Sequence, residues 1–544
     1  MPRQKPHQQH RGKAASGPSY VGDPIVANSL AFFTGLCVMV LELVAGRLIA
    51  RHLGSSLYTW TAVIGVILAG LSLGNWLGGR LADRFRIEQL VGKLFLAASI
   101  TCLLILWLSE IMATAFPDEG ISWPARIVCF VTVVFFVPAA ALGTITPVLA
   151  KAVVQRASAT GRAIGNIYAA GTIGSIVGTF LTGFVLIAWL GTKAIVLCVA
   201  AGLAGAGLVC GGRGLVGWTW SLLCGLACVG GLVATGWAGD LGRALLLREW
   251  SSAIYTDESH YFYIQVAPDP ERPEVRALRL DALVHGSLIP DQPQELVHYG
   301  YERAYASLTA RFAHDRDTLR ALFIGGGAYV FPRYMEALYP SSQLDVVEID
   351  PAVTEACHRA LGLPRDTPIR SIHMDARNYV AAVRPGNRYD LIFGDAFNDF
   401  SVPWHLTTKE FNDQLRGLLA PDGLYMMNLV DIFNSGQFLA AYVHTARETF
   451  SQVRVLLSQS ADQRLGMADW RDRREAFVVL CAQQPLVLEN PPLGSQPGEP
   501  RFEGLVLSDQ LVAELLNRVR PVSLTDDYAP VDNLLAPVIG QRGL

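Results

Sequence analysis

The sequence predicts a multi-pass α-helical membrane region followed by an α/β domain. Three observations carry that prediction. Hydrophobic residues make up 51% of the 544 residues and charged ones only 17%, with a mean hydropathy of +0.31; this balance is too apolar for an ordinary soluble enzyme. Apolar stretches long enough to cross a bilayer fill the first 240 residues. Beyond them, short apolar runs alternate with helix-length stretches. That is the pattern of a doubly wound, mostly parallel sheet, here of seven strands, behind a small N-terminal β-hairpin region.

Residues 1–23 are polar, rich in Gln, His, Arg, Lys and Gly, and read as a disordered basic tail. Residues 24–240 hold about seven candidate spans, near 26–50, 59–79, 94–114, 127–149, 164–190, 194–210 and 216–237. No cleavage-like site follows the first apolar run, so it reads as a span rather than a signal peptide. Arg80, Arg84, Arg86 and Lys93 follow the second span, and Lys151, Arg156 and Arg162 follow the fourth. The loop after the third instead carries Glu110, Asp118 and Glu119. This bias places the N-terminus and the loops at 80–93 and 150–163 in the cytoplasm of a lipid-embedded, multi-pass cell-membrane protein. Gly70, Gly74 and Gly78, then Gly174 and Gly178, recur at helical spacing. Such ridges let helices approach closely, first within one chain, alternatively as the face of a homo-oligomer. Glu42 is an intramembrane charge and so a candidate functional residue. Arg47 and Arg51 read as snorkelling cations at a helix end.

From 241 to 310 the pattern turns short and alternating (Tyr261, Tyr263, Gln265, then Leu278 and Leu280), which predicts hairpins. Residues 311–485 give strands at 320–324, 344–349, 369–374, 389–394, 424–429, 452–457 and 476–481, separated by helical stretches. Residues 486–544 form a C-terminal extension in which 505–518 reads as a helix. The chemistry gathers at strand ends. Gly325, Gly326 and Gly327 directly follow the first apolar strand, where glycines permit a sharp turn and close approach to a ligand. Glu348 and Asp350 end the second strand, placed to accept from ribose hydroxyls. A nucleoside-binding βαβ unit is expected; a tight strand–helix turn is the plainer alternative. Asp375 ends the third strand, and with the Ala376 N–H it can face an adenine edge. Asp395 ends the fourth, above the reacting centre. Asp399 follows in a loop with Phe397, Phe400 and Trp404, a setting suited to deprotonating or holding an amine. Asp526 and Asp527 lie in a polar turn that borders the site or caps a helix.

These residues resemble the spermidine synthase family of polyamine aminopropyltransferases, in its membrane-fused form. Glu258-Ser259-His260-Tyr261 resembles the family's opening hairpin, and Leu280-Asp281 its Leu-Asp-Gly turn. Ile324-Gly325-Gly326-Gly327 resembles its glycine motif, and Glu348-Ile349-Asp350 its ribose-binding strand. In the first half, Leu41-Glu42-Leu43 with Arg47, and Leu73-Gly74 through Gly78-Gly79-Arg80-Leu81-Ala82-Asp83-Arg84, are similar to the fused proteins. The last run also resembles a major facilitator loop. The resemblance implies a methyltransferase-like sheet. It also implies aminopropyl transfer from decarboxylated S-adenosylmethionine to an amine such as putrescine. It makes Glu348 the ribose ligand, Asp375 and Ala376 the adenine contacts, Asp395 the base, and Asp399, with Tyr261 and Trp404, the amine-binding group. The chain departs from the family where Ala328 replaces the acid after the glycines, and where Phe262 replaces the Gln after the hairpin Tyr. In Asp395-Ala396-Phe397-Asn398-Asp399 the second acid is displaced by one, and Tyr299-Gly300-Tyr301-Glu302 only loosely matches the family's Tyr-His-Glu.

The expected function is therefore transfer to a small amine at a membrane, with decarboxylated S-adenosylmethionine, or S-adenosylmethionine itself, as co-substrate. Two alternatives stand beside it: a methyltransferase using S-adenosylmethionine, and a transporter or sensor whose soluble half binds a nucleoside or polyamine without chemistry. No metal-ligand spacing occurs among the nine cysteines, so no metal is expected, and the net charge of −3 gives no global case for a nucleic-acid partner. Seven spans starting inside would place the second half outside, whereas activated nucleosides are made inside. The soluble half is expected in the cytoplasm, which requires that one apolar segment does not span or that 194–237 inserts differently.

Overall fold

The computed structural model describes residues 20–115, 123–211, 219, 223, 253–297, 300–316, 318–383, 389–396, 402–458, 470–485, 488, 492–495, 499–502 and 504–539. Contacts divide the chain into two units. One comprises 1–45, 62–114 and 129–242; the other comprises Gly46–Thr61, 115–128 and 243–544.

The first unit is helical. Its helices are drawn from α1 (Pro24–Leu53), α2 (Leu57–Arg84), α3 (Ile87–Ala115), α4 (Trp123–Gly143), α5 (Ile145–Val154), α6 (Thr160–Leu181) and α7 (Ile187–Val209). Among the described residues, six helical stretches are long and apolar enough to cross a membrane. The expected seventh span, 216–237, lies outside the described residues except for Thr219 and Leu223, as does nearly all of the tail 1–23. A turn of π-helix at Thr182–Leu186 joins α6 to α7, and Gly191, at φ +72°, breaks α7 near its start. That break falls at the start of the sixth apolar stretch, Leu190–Val209.

The glycine ridges face neighbouring helices of the same chain. A Cβ at Gly174 would lie 1.9 Å from the Phe32 carbonyl oxygen, and one at Gly178 would lie 2.6 Å from that of Leu36. A Cβ at Gly74 would lie 2.1 Å from the Ala140 oxygen, and one at Gly78 would lie 2.3 Å from that of Thr144. α6 thus lies backbone to backbone against α1, and α2 against the α4–α5 region. Helices of this apolar length, if in lipid, gain little from apolar burial, and such close backbone contact would supply the packing. Lys151 Nζ donates to the Ala82 carbonyl (2.9 Å) and to Asp83 (2.7 Å), capping the C-terminal carbonyls of α2.

The second unit holds two sheets. The first is a four-stranded antiparallel meander, β1 (Tyr255–Glu258), β2 (Tyr263–Pro268), β3 (Arg276–Leu280) and β4 (Leu283–Leu288). The second contains β5 (Arg320–Ile324), β6 (Gln343–Glu348), β7 (Arg370–His373), β8 (Tyr389–Gly394), β9 (Leu419–Ile432), β10 (Gln452–Ser458), β11 (Arg474–Ala482) and β12 (Leu505–Val506). Its order is β12-β10-β11-β9-β8-β5-β6-β7. The expectation of seven strands is corrected to eight in a mixed sheet. β5 to β9 are parallel neighbours, whereas β10, β11 and β12 join antiparallel. The eighth strand is Leu505–Val506, read from sequence as the start of a helix; that helix begins at Asp509, where Ser508 caps it by accepting from Leu511 N–H. Two apolar residues on an exposed edge satisfy either period, and pairing with Leu456 and Leu457 decides for strand.

β5 is central because its apolar run is buried on both faces. The chain winds from β5 outward to β6 and β7, then returns to β5's other side with β8. The strand order reverses at β5, so a crevice opens at the C-terminal ends of β5, β6 and β8.

The ridge geometry makes a direct prediction. Gly174→Ala should destabilise the helical unit by about 1–3 kcal/mol, the range for overpacking. Gly165→Ala, on the same helix with nothing within 4 Å of its Cβ position, should be neutral or slightly stabilising. Thermal unfolding of the two variants in micelles checks the contrast.

Candidate active site

β5 ends at Ile324, and the chain must turn at once to reach the helix Val330–Leu338. Gly325 makes that turn at φ +98°, and a Cβ there would lie 2.4 Å from the Asp395 carbonyl oxygen. Both facts exclude any other residue at low cost. The backbone links are reciprocal. Gly325 N–H donates to Val347 O at 2.9 Å, and Asp395 N–H donates to Ile324 O at 2.9 Å. The ends of β5, β6 and β8 are locked together, bringing Gly325 and Asp395 side by side.

Glu348 ends β6 and is buried. One carboxylate oxygen accepts from Gly326 N–H (2.8 Å) and Gly327 N–H (3.3 Å), the other from Asp350 N–H (3.0 Å). Burial pushes its carboxyl above the ordinary glutamate range, and the three N–H groups oppose that shift. A carboxylate offers about four acceptor positions, so roughly one remains for a hydroxyl. A Cβ at Gly326 would lie 3.2 Å from this carboxylate and 2.8 Å from the Tyr329 ring. The glycine backbone thus cradles the Glu348 carboxylate and the Tyr329 ring, in space that a side chain would take.

Asp350 is placed differently from its neighbour. It caps the helix Pro351–Ala360, accepting from Ala352 N–H at 3.0 Å, and its other oxygen accepts from the Ser259 hydroxyl. It is buried, and burial raises its pKa. Its oxygens tie the opening hairpin to β6. Asp375 likewise caps the helix Ala376–Ala382 through Asn378 N–H (3.0 Å), while its second oxygen meets His405 Nε2 at 3.0 Å. Ala376 is buried at the first position of that helix.

Asp395 sits partly buried at the end of β8. Tyr301 Oη donates to one carboxylate oxygen and Asn428 Nδ2 to the other, each at 2.9 Å. Burial raises its pKa above the ordinary aspartate value, against both hydrogen bonds. A carboxylate held by two donors and shifted upward is oriented and a stronger base than usual. Sequence reading did not assign Tyr301 or Asn428. Tyr301 stood only within a loose echo of a family motif, while Asn428 interrupts the apolar run of β9, and a polar residue inside a buried strand was the available signal.

Tyr261 and Trp404 present rings that are 44% and 50% exposed, on the β1–β2 turn and on a 3₁₀ turn beside His405. No described contact joins either ring to Asp395. Asp399, with Phe397 and Phe400, lies outside the described residues. Ala328, at the position of the expected acid, is buried, and a Cβ at Gly286 would lie 2.7 Å from its own. Asp526 pairs with Arg377, which also donates to His405 O (2.7 Å), so the C-terminal turn docks beside the Asp375 loop.

One buried acid of the hairpin sheet carries a pH prediction. Asp281 sits at φ +49° in the β3–β4 turn and accepts from Tyr263 N–H at 3.0 Å. Burial raises its pKa to about 6, with Arg47 and Arg51 opposing. A carboxyl raised on folding favours the fold fully below its unfolded pKa of about 3.9 and loses that contribution as pH rises to about 6. Asp281→Asn keeps the acceptor and tolerates this φ. The variant should flatten the stability–pH curve between those values, as read by thermal unfolding across pH 3.5–7.

No family model matches the chain. A polyamine aminopropyltransferase of Vibrio vulnificus is 38% identical over 110 residues, covering 20% of this chain and 37% of that protein. A probable polyamine aminopropyl transferase of Bifidobacterium longum is 27% identical over 189 residues, covering 35% of this chain and 40% of that protein. The matches thus span about two fifths of those relatives' length. Among solved structures, a probable spermidine synthase from Corynebacterium glutamicum aligns at a TM-score of 0.43 and 23% identity, over 51% of this chain and 98% of its own. Over the matched residues, the sequence is similar to polyamine aminopropyltransferases.

Proposed function

We propose that the second unit transfers an aminopropyl group from decarboxylated S-adenosylmethionine to a small amine, with Asp395 as general base. The observation that carries this reading is the partly buried Asp395 carboxylate, clamped by Tyr301 and Asn428 within one hydrogen bond of the glycine turn. The glycine turn at Gly325–Gly327 and the Glu348 carboxylate fit a nucleoside: roughly one acceptor position remains for a ribose hydroxyl, at a strand end where glycine backbone admits close approach. Asp350 supports this pocket from beneath, while Asp375 and Ala376 border the adenine side.

An ammonium has no lone pair, so the acceptor amine must lose a proton before or as it attacks. Transfer forms a nitrogen–carbon bond and breaks a carbon–sulfur bond, whose electron pair neutralises the sulfonium. The proton released from nitrogen goes to Asp395. Asp399, Tyr261 and Trp404 are proposed to hold the rest of the amine by charge and ring faces. Methyl transfer from S-adenosylmethionine is the second reading. It is favoured by one observation, the buried Ala328 where an acid would otherwise meet an aminopropyl ammonium. Product analysis with each co-substrate decides between them.

Kinetics of two variants test the reading. Asp395→Asn should lower turnover about 10²–10⁴-fold, with little change in nucleoside affinity. Because its pKa is raised, the acid limb of the pH–rate profile should lie above the ordinary aspartate range. Glu348→Gln should weaken binding of the thioether nucleoside by about 1.5–3 kcal/mol, the worth of hydrogen bonds to a charged group. Near-full turnover in Asp395→Asn would remove the base; unchanged affinity in Glu348→Gln would remove the nucleoside pocket.

The second half is further proposed to face the cytoplasm, where activated nucleosides are made. A reporter that is active only in the cytoplasm, fused after Leu544, should be active. Activity of an export-dependent reporter at the same position would reverse the placement.

A further inference from the structure

The last turns of the first long helix belong by their contacts to the second unit, within Gly46–Thr61. There Arg47 and Arg51 engage the opening hairpin. Arg47 donates through one terminal nitrogen to the Tyr261 carbonyl and through the other to the Ser259 carbonyl, the latter at 2.8 Å. Arg51 pairs with Glu258 at 3.4 Å and lies 3.8 Å above the Tyr263 ring. The turn they hold is wound about the Ser259 hydroxyl, which accepts from Tyr261 N–H (3.0 Å) and Phe262 N–H (2.9 Å) and donates to Asp350. Asp350 in turn donates its N–H to Glu348, which holds Gly326 and Gly327. A continuous hydrogen-bonded path therefore runs from Arg47 to the glycine cradle.

We propose that Arg47 and Arg51 are positioning residues for the nucleoside pocket, holding the Ser259–Phe262 turn in the register in which Ser259 fixes Asp350 and, through it, Glu348. The inference rests on the nucleoside reading of that pocket. The chemistry explains the choice of arginine. A turn leaves carbonyl oxygens outside the strand ladder, and the planar guanidinium fork serves two of them at once. The Arg47 charge also favours the ionised forms of Asp281 and Asp350, against the burial that raises both pKa values. Snorkelling alone would leave both side chains reaching for water or headgroups; here they end on protein carbonyls, a carboxylate and a ring.

The test uses the full chain in micelles and titrates 5′-methylthioadenosine by calorimetry. Arg47→Gln and Ser259→Ala should each weaken binding about three- to tenfold, the range for changes along such networks. The double variant should lose no more than the larger single loss, because both act on one path. With amine and co-substrate, KM for the nucleoside should rise while kcat holds, since the Asp395 anchors lie on other elements. Unchanged affinity in Arg47→Gln, fully additive losses, or a fall in kcat without a rise in KM would each overturn the proposal. Glu348→Gln serves as the reference: if it weakens binding and Arg47→Gln does not, the relay alone fails. If Glu348→Gln leaves affinity unchanged, the pocket assignment and the relay fail together.

Discussion

The Glu348 carboxylate gathers three backbone N–H groups from the glycine turn and from its own strand end. That interaction sets the shape of the crevice. Buried N–H groups in a turn without side chains would otherwise stand unsatisfied, at a cost of about 1–3 kcal/mol each. The carboxylate satisfies them, and they in turn offset the desolvation that raises its pKa. The N–H groups of Gly325, Gly326 and Gly327 are thus all engaged, by Val347 O and by Glu348. Asp350 repeats the arrangement one step deeper, closing a helix N-terminus and the opening hairpin with a single carboxylate.

Asp395 answers a different demand. Its backbone is fixed to β5 by the Ile324 carbonyl, and its side chain is fixed by two donors from elements distant in sequence. Tyr301 comes from the helix Gly300–Phe312 and Asn428 from β9. A carboxylate so held loses little orientational freedom when it meets a proton, which is the economy expected of a preorganised base. Among the described residues, the hydrogen bonds of Glu348 and those of the Asp395 side chain form separate sets, joined by the reciprocal bonds between Gly325, Ile324, Val347 and Asp395.

In the helical unit the controlling constraint is distance rather than charge. Gly35, Gly74, Gly78, Gly174 and Gly178 each allow a neighbouring backbone to approach within the space of a methyl group. The seam between α1 and α6 and that between α2 and the α4–α5 region are made of main chain on main chain. The bulky apolar side chains point elsewhere, and many of them are exposed: Trp76, Phe180 and Phe184 among others. This is the surface expected where the solvent is lipid.

The sequence alone determined whatever depends on local pattern. Apolar length marked the helical spans, alternation marked the hairpins, and the order of glycine turn, Glu348, Asp375 and Asp395 marked the strand ends of a doubly wound sheet. It also marked the glycine ridges, because helical spacing is a property of the chain itself. What it left open depends on pairs far apart in the chain. Two residues at 505–506 became a strand only because β10 offered an unpaired edge. Asp350, adjacent to Glu348 in pattern, turned inward because Ser259 and a helix N-terminus met it there. Tyr301 and Asn428, 127 positions apart, acquired meaning only when the fold brought both to Asp395. Arg47 and Arg51, which by composition read as helix-end cations, found two carbonyls and a carboxylate more than 200 residues away. Periodicity and turn chemistry act over a few residues and are written in the sequence; hydrogen-bond partnership and burial are decided by which distant segments share a crevice, and that only the tertiary structure supplies.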